Sequence, residues 1–224
     1  MKIVSLFGNG LQSYSAVATA QRRLNCFYDP RADHDSTAAV IRGTPGSLLW
    51  ITMPTPLIRG WHVVGSILYV VTGSTFSIVT TGGIVTYRGL LKTATGKVEM
   101  ADNGTQICIV DRSYGYIYDI TAATITQITD GNFPGTCATV AFLNQRFIVE
   151  KIGTRQFYAS ALLNGLTWTP LIFNSKENDS SVLLAVNIYN GTLVLWGISG
   201  IEFWQDTGSA INPYTRIQGA SQSW

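Results

Sequence analysis

From residue 60 onward, one pattern recurs four times: an apolar-alternating segment, a tight turn, a second such segment, a second turn, and a third segment. The first turns stand at residues 65, 103, 144 and 190, in steps of 38, 41 and 46. The second turns stand near 73, 114, 153 and 199, in steps of 41, 39 and 46. Two separate markers share one period, and self-similarity at about 40 residues is the signature of a repeat architecture. Alternation at period two is strand patterning, because successive side chains point to opposite faces.

The predicted strands of the four copies are 61–64, 67–71 and 76–79; 98–101, 106–110 and 116–120; 138–143, 146–149 and 156–160; and 183–188, 193–196 and 201–204. A fourth strand per copy fits at 84–87, 125–128, 167–171 and 215–217. Asn103-Gly104 and Asn190-Gly191 are strong hairpin signals, because a type I′ turn needs positive φ at both central residues. One four-stranded sheet cannot cover both of its own faces, whereas stacked neighbours cover each other. The predicted fold is therefore all-β and β-propeller-like, with four four-stranded blades over 46–224 and an extended N-terminal arm over 1–45. After the Thr44-Pro45-Gly46 turn, a strand is expected at 47–52, placed where it could close a ring by joining the last blade. Residues 11–20 have weak helical content, and no helix of more than two turns is expected after residue 60.

Charged residues make up 12% of the chain, about half the usual share. Uncharged surface on that scale commonly faces a partner. Residues 1–60 sum to +3 and the remainder to −1, a weaker basic footprint than sequence-reading DNA-binding domains carry. Cys26, Cys108 and Cys137 are odd in number and lack Cys-x-x-Cys spacing, so free thiols are expected rather than zinc or disulfides. Ala18-Thr19-Ala20 has the form of a cleavage site. Gly8, Asn9, Gly10, Gln12, Ser13 and Ser15 interrupt the apolar run that a signal peptide needs. No stretch reaches the ~20 apolar residues of a membrane span.

Catalytic signatures are weak. His62 lies in an alternating strand, where a packing role is favoured, and His34 sits between Asp33 and Asp35 in a polar loop with no second histidine at ligand spacing. There is no Gly-x-Ser-x-Gly elbow and no lysine-bearing phosphate loop. Gly165-Leu166-Thr167-Trp168 resembles the second half of an Asp-box turn, but Ala161 and Leu163 occupy the positions of its Ser and Asp. No spacing nominates a carboxylate pair for glycoside hydrolysis. Of the Asn-x-Ser/Thr sequons at Asn103, Asn178 and Asn190, the first and last are better read as turns. Tyr114, Tyr116, Tyr118, Trp196, Phe203 and Trp204 alternate along predicted strands, which favours packing between blades over base stacking. The expectation is a non-enzyme with no catalytic residues, metal or cofactor. Binding candidates are the arginines of the N-terminal region, Arg22, Arg23, Arg31 and Arg42, docking on a neighbouring subunit or on DNA phosphates.

A set of ordered segments carries a family resemblance: Gln21-Arg22-Arg23-Leu24-Asn25-Cys26-Phe27, Arg42-Gly43-Thr44-Pro45-Gly46, Arg59-Gly60, Met100-Ala101-Asp102-Asn103-Gly104-Thr105-Gln106, Gly153-Thr154-Arg155-Gln156-Phe157-Tyr158, and Tyr214-Thr215-Arg216-Ile217-Gln218-Gly219-Ala220. Together they resemble the packaged-DNA stabilisation proteins of short-tailed phages, also called tail hub or head-completion proteins. That resemblance implies a structural virion protein of the tail, assembled in the host cytoplasm; the alternatives the residues leave open are a propeller-type module that binds a peptide or glycan and, third, a glycosidase-like enzyme. The tail protein's implied partners are copies of itself in a hexameric ring, the portal-adaptor protein, the tail needle and tailspike, and genomic DNA passing through the lumen. Members of that family are longer, so the resemblance implies an incomplete propeller here.

Overall fold

The computed structural model describes residues 26–29, 40–43, 46–209 and 211–223. The chain divides into two compact units, Met1–Trp50 and Ile51–Trp224. In the first, β1 (Cys26–Asp29) and β2 (Val40–Gly43) pair antiparallel, with Phe27 opposite Arg42. These two short strands are the described part of the extended arm expected over 1–45. Both segments are β-branched or aromatic, which favours pairing, but no turn dipeptide between them announces it. The 11–20 segment lies outside the described residues.

The second unit holds four antiparallel sheets, each formed by strands adjacent in the chain. The first sheet is β3 (Ile58–Val64), β4 (Ile67–Thr72), β5 (Thr75–Val79) and β6 (Val85–Leu90). The second is β7 (Glu99–Asp102), β8 (Gln106–Val110), β9 (Gly115–Asp119) and β10 (Thr124–Gln127). The third is β11 (Val140–Leu143), β12 (Arg146–Glu150), β13 (Gln156–Ala161) and β14 (Asn164–Ser175). The fourth is β15 (Leu183–Tyr189), β16 (Thr192–Gly197), β17 (Gly200–Asp206) and β18 (Tyr214–Ser223). The first strands of successive sheets, β3, β7, β11 and β15, lie side by side in that order. The architecture is that of propeller blades, and the four sheets do not close on themselves. Residues 47–52 form no strand, which corrects the expected ring-closing element.

Packing between blades explains the composition. Tyr69, Val71 and Phe76 of the first sheet meet Ile107, Ile109 and Tyr118 of the second, with Phe76 and Tyr118 edge to face at 5.0 Å. Cys108, Val110 and Ile117 on the second sheet's other face meet Phe147, Val149 and Trp168 of the third. Ile148 and Phe157 of the third meet Leu193, Leu195 and Trp204 of the fourth. Every residue of β12 is therefore buried, as expected of a strand with a neighbour on each face. At about 25 cal/mol per Å² of apolar area removed from water, this stacking is the main favourable term.

Turn chemistry sets the registers. Asn190 and Gly191 both adopt positive φ (48° and 72°), as a type I′ hairpin requires. Asn144 and Gln145 do the same (46° and 70°) without a glycine. Asn103-Gly104 differs: only Gly104 has positive φ, and the Asn103 side-chain oxygen accepts from the N–H groups of Thr105 and Gln106. Within each blade, the first and third turns fall at one end, here called the hairpin end. The second turns and the links between blades fall at the other, the connector end.

Candidate interaction surfaces

The connector end is built on buried polar pegs. Arg59 begins the first blade and inserts its guanidinium into the link before β7, donating to the carbonyls of Gly73, Thr93, Thr95 and Gly96 and to the Thr93 hydroxyl at 2.7–2.9 Å. A side chain on the adjacent Gly60 would strike the Val98 carbonyl, so this approach requires glycine. Asp111 accepts from the N–H groups of Ser113 and Tyr114 and from the Thr93 hydroxyl. Glu150 accepts from the N–H groups of Ala138 and Thr139 and from the Thr139 hydroxyl. Glu202 accepts from the N–H groups of Glu177 and Asn178 and from the Trp204 indole. The three carboxylates are almost fully buried and satisfy loop donors that would otherwise lack partners. Burial pushes the Glu150 carboxyl above its ordinary range, outweighing its donors. In the link before β15, Lys176 lies 2.6 Å from Asp179. It helps hold that carboxyl down at about 2, together with Ser181.

His62 and Asp102 bridge the first strands of neighbouring blades, Nε2 to Oδ2 at 2.6 Å. The alternation of β3 gave no hint of this pairing, because the partners are 40 residues apart. Trp168, in the Asp-box-like fragment, is buried, and its N–H donates to Asp130 from the preceding link while its indole donates to the Gly165 carbonyl. The carboxylate missing from the local motif is thus supplied from a distance. Cys108 and Cys137 are free and buried, and burial raises both thiols far above the reactive range. Tyr116, Tyr118 and Trp204 pack inside, as their alternation suggested, whereas Tyr114 and Trp196 are exposed and Phe203 is only partly buried, which corrects the expectation for them. Arg22, Arg23, Arg31 and His34 lie outside the described residues, and Arg42 stands on β2. Among the described residues, no cluster of three or more His, Cys, Asp or Glu could hold a metal ion. No helix there is long and apolar enough to cross a membrane.

Two surfaces among the described residues offer themselves for contact. The fourth blade's outer face carries an apolar groove of about 320 Å³ lined by Tyr189, Val194, Trp196, Ile201 and Phe203. It is the face that in the second and third blades is covered by the next sheet. The other surface is the connector end, where several basic side chains project.

Fold and surfaces together define a propeller-class repeat protein, held by blade-on-blade packing and offering faces rather than a cleft. The family model described as "Bacteriophage P22 Gp10, beta-propeller", a phage stabilisation family, matches residues 39–223. The chain belongs to this family and is a phage structural protein. No curated protein sequence matches it. Among solved structures, a computationally designed protein, Ika4, is similar at TM-score 0.55 and 8% identity, over 71% of this chain and 99% of that one. Virginiamycin B lyase from Staphylococcus aureus is similar at TM-score 0.54 and 10% identity, over 72% of this chain and 56% of that one. A chain of the S. cerevisiae complex of dbp5 with nup159, gle1, ip6 and adp is similar at TM-score 0.52 and 12% identity, over 80% of this chain and 55% of that one. The chain thus spans little more than half the length of the latter two. At such identities these likenesses concern the fold alone.

Proposed function

We propose that this chain is a hub subunit in the tail of a short-tailed phage. In this reading, copies form a cyclic ring, hexameric in the expected form, below the portal and its adaptor. The ring retains packaged DNA after filling and carries the needle and tailspikes. The observation that carries the reading is membership of the phage stabilisation family over 39–223. The low charge content and the apolar outer face of the fourth blade agree with it, since ring subunits bury matching faces in heterologous contacts that must close. The role is mechanical: low-charge β surface meets neighbouring subunits, and basic groups face DNA or the ring above.

The test is mass measurement and electron microscopy of the purified chain, alone and mixed with the portal-adaptor complex. A closed ring that docks on the adaptor is the expected result. A monomer that stays monomeric at high concentration and binds neither portal nor adaptor contradicts the reading.

A further inference from the structure

The two ends of the Ile51–Trp224 unit differ in charge. At the hairpin end stand Asp102, Asp119 and Asp206. Among the described residues of that end, the one Lys or Arg is Arg146, which is buried and donates to the Ser160 carbonyl at 2.6 Å. At the connector end Lys92, Arg112 and Arg155 are exposed and Lys151 is half-exposed. None of these four forms an ion pair with a described residue.

Hydrogen bonds between loops place the four in one row. The Lys92 N–H donates to the Tyr116 hydroxyl at 2.9 Å, and its ammonium lies 5.1 Å from the centre of the Tyr114 ring. Two residues before Tyr114, the Arg112 N–H donates to the Cys137 carbonyl at 3.0 Å. Beside Cys137, the Thr136 carbonyl accepts from Ile152, the neighbour of Lys151, at 3.0 Å. The Lys176 N–H then donates to the Arg155 carbonyl at 2.9 Å. The acids closest along the row, Asp111 and Glu150, are buried beneath it with their oxygens turned to loop donors. Asp130 accepts from Asn132 and Trp168. An anion approaching from solvent therefore meets the four bases first. The other acids of this end, Glu99, Glu177 and Asp179, lie against Lys97, Arg216 and Lys176 respectively, and so leave the four bases of the row unpaired.

The row carries the exposed aromatic Tyr114, and the exposed Leu90 and Phe173 stand beside Lys92 and Lys151 on different blades, so they do not gather into one apolar centre. A docking surface for a folded protein would have an apolar centre with charge depleted from it. A line of mobile bases on loops instead matches the sequence-independent phosphate contacts that position proteins on nucleic acid.

We propose that Lys92, Arg112, Lys151 and Arg155 form a phosphate-contacting rim that holds the backbone of double-stranded DNA without reading its sequence. The proposal rests on the reading of the chain as a hub subunit bordering a DNA path, and it names the surface that faces that path.

The test is fluorescence anisotropy of a labelled duplex of arbitrary sequence, titrated with the full chain at several salt concentrations. Four phosphate contacts give a log–log salt slope of about −3.6, or roughly a hundred-fold loss of affinity for a four-fold rise in salt. Replacing all four by glutamine (Lys92→Gln, Arg112→Gln, Lys151→Gln, Arg155→Gln) is expected to remove this salt-dependent binding. Circular dichroism melting is expected to show that variant folded, since all four side chains project to solvent. Asp102→Asn with Asp119→Asn and Asp206→Asn, at the other end, is expected to leave the slope unchanged. Wild-type binding by the four-fold variant overturns the proposal, as does competition by polyglutamate as strong as by unlabelled duplex. Loss of binding only in Arg22→Gln, Arg23→Gln, Arg31→Gln, Arg42→Gln moves the grip to the N-terminal region and overturns the rim while leaving the hub reading intact. Duplex binding through the rim by a chain that never assembles upholds the rim and removes the hub.

Discussion

Cys108 and Ile117 stand directly opposite one another in the second blade, as Val194 and Phe203 do in the fourth. The first pair is buried because Phe147 and Val149 of the third blade lie on it. Beside the second pair no described blade packs: Val194 is buried, but Phe203 is only partly so, and Tyr189 and Trp196 are 67% and 41% exposed. Strand pairing alone thus fixes the shape of a blade. It is the neighbour on each face that removes apolar surface from water. In solenoid terms each blade has an intrinsic stability and an interface term, and the fourth blade has one described interface where the second and third have two. The first blade likewise has one described interface, so the two end blades should accordingly be less stable than the second and third, and the more ready to gain from a partner.

That contrast can be broken or sharpened by substitution. The largest effect is expected for Phe147→Ala, in the interface between the second and third blades, where the ring is fully buried. Truncating a core Phe costs about 3–5 kcal/mol, and at about 2–4 °C per kcal/mol for a domain of this size thermal melting should fall by roughly 6–20 °C. A fall of only a degree or two would mean that the interface is not what holds the blades.

Next comes the pH dependence of Glu150. Its native carboxyl lies above the ordinary 4.5, with burial as the main cause. A raised native value means that stability is fully present below about pH 4.5 and is lost as pH rises through the native value. Melting temperature should decline over that window in the wild type. Glu150→Gln should flatten the decline, and an unchanged slope in the variant would show that Glu150 is not its source.

A smaller effect on folding, but a larger one on assembly, is expected for Trp196→Lys on the open face. With the ring already partly in water, the stability cost should stay below about 1 kcal/mol, as for exposed sites generally. If this face is covered in the ring, gel filtration and mass measurement should show assembly lost. Full assembly by the variant would show that the face stays open. The smallest effect belongs to Asp102→Asn at the half-exposed contact with His62, about 0–1 kcal/mol by urea denaturation.

Much of this was legible in the sequence because the repeat is written in local signals. The strand at 106–110 was predicted with the observed ends, and the turns at 144–145 and 190–191 fell where expected. The fourth strands of the first, third and fourth blades were underestimated. β14 and β18 run for 12 and 10 residues because bulges let them continue past a break in register, which alternation cannot reveal. The strand expected at 47–52 is absent. The surfaces were the least legible. The Asp111, Glu150 and Glu202 pegs and the row of bases follow from which loops meet, and those loops lie tens of residues apart. The arginines singled out in the N-terminal region were found by clustering along the chain, whereas Lys92, Arg112, Lys151 and Arg155 cluster only in space.

Native-state hydrogen exchange of the monomeric chain, resolved by strand, tests the central claim most directly. If blades are stabilised by their neighbours, the amides of β8 and β12 should exchange only through the global unfolding reaction, while those of β15–β18 exchange earlier, through a separate opening of lower free energy. Equal protection in all four blades, or strongest protection in the fourth, would contradict the account.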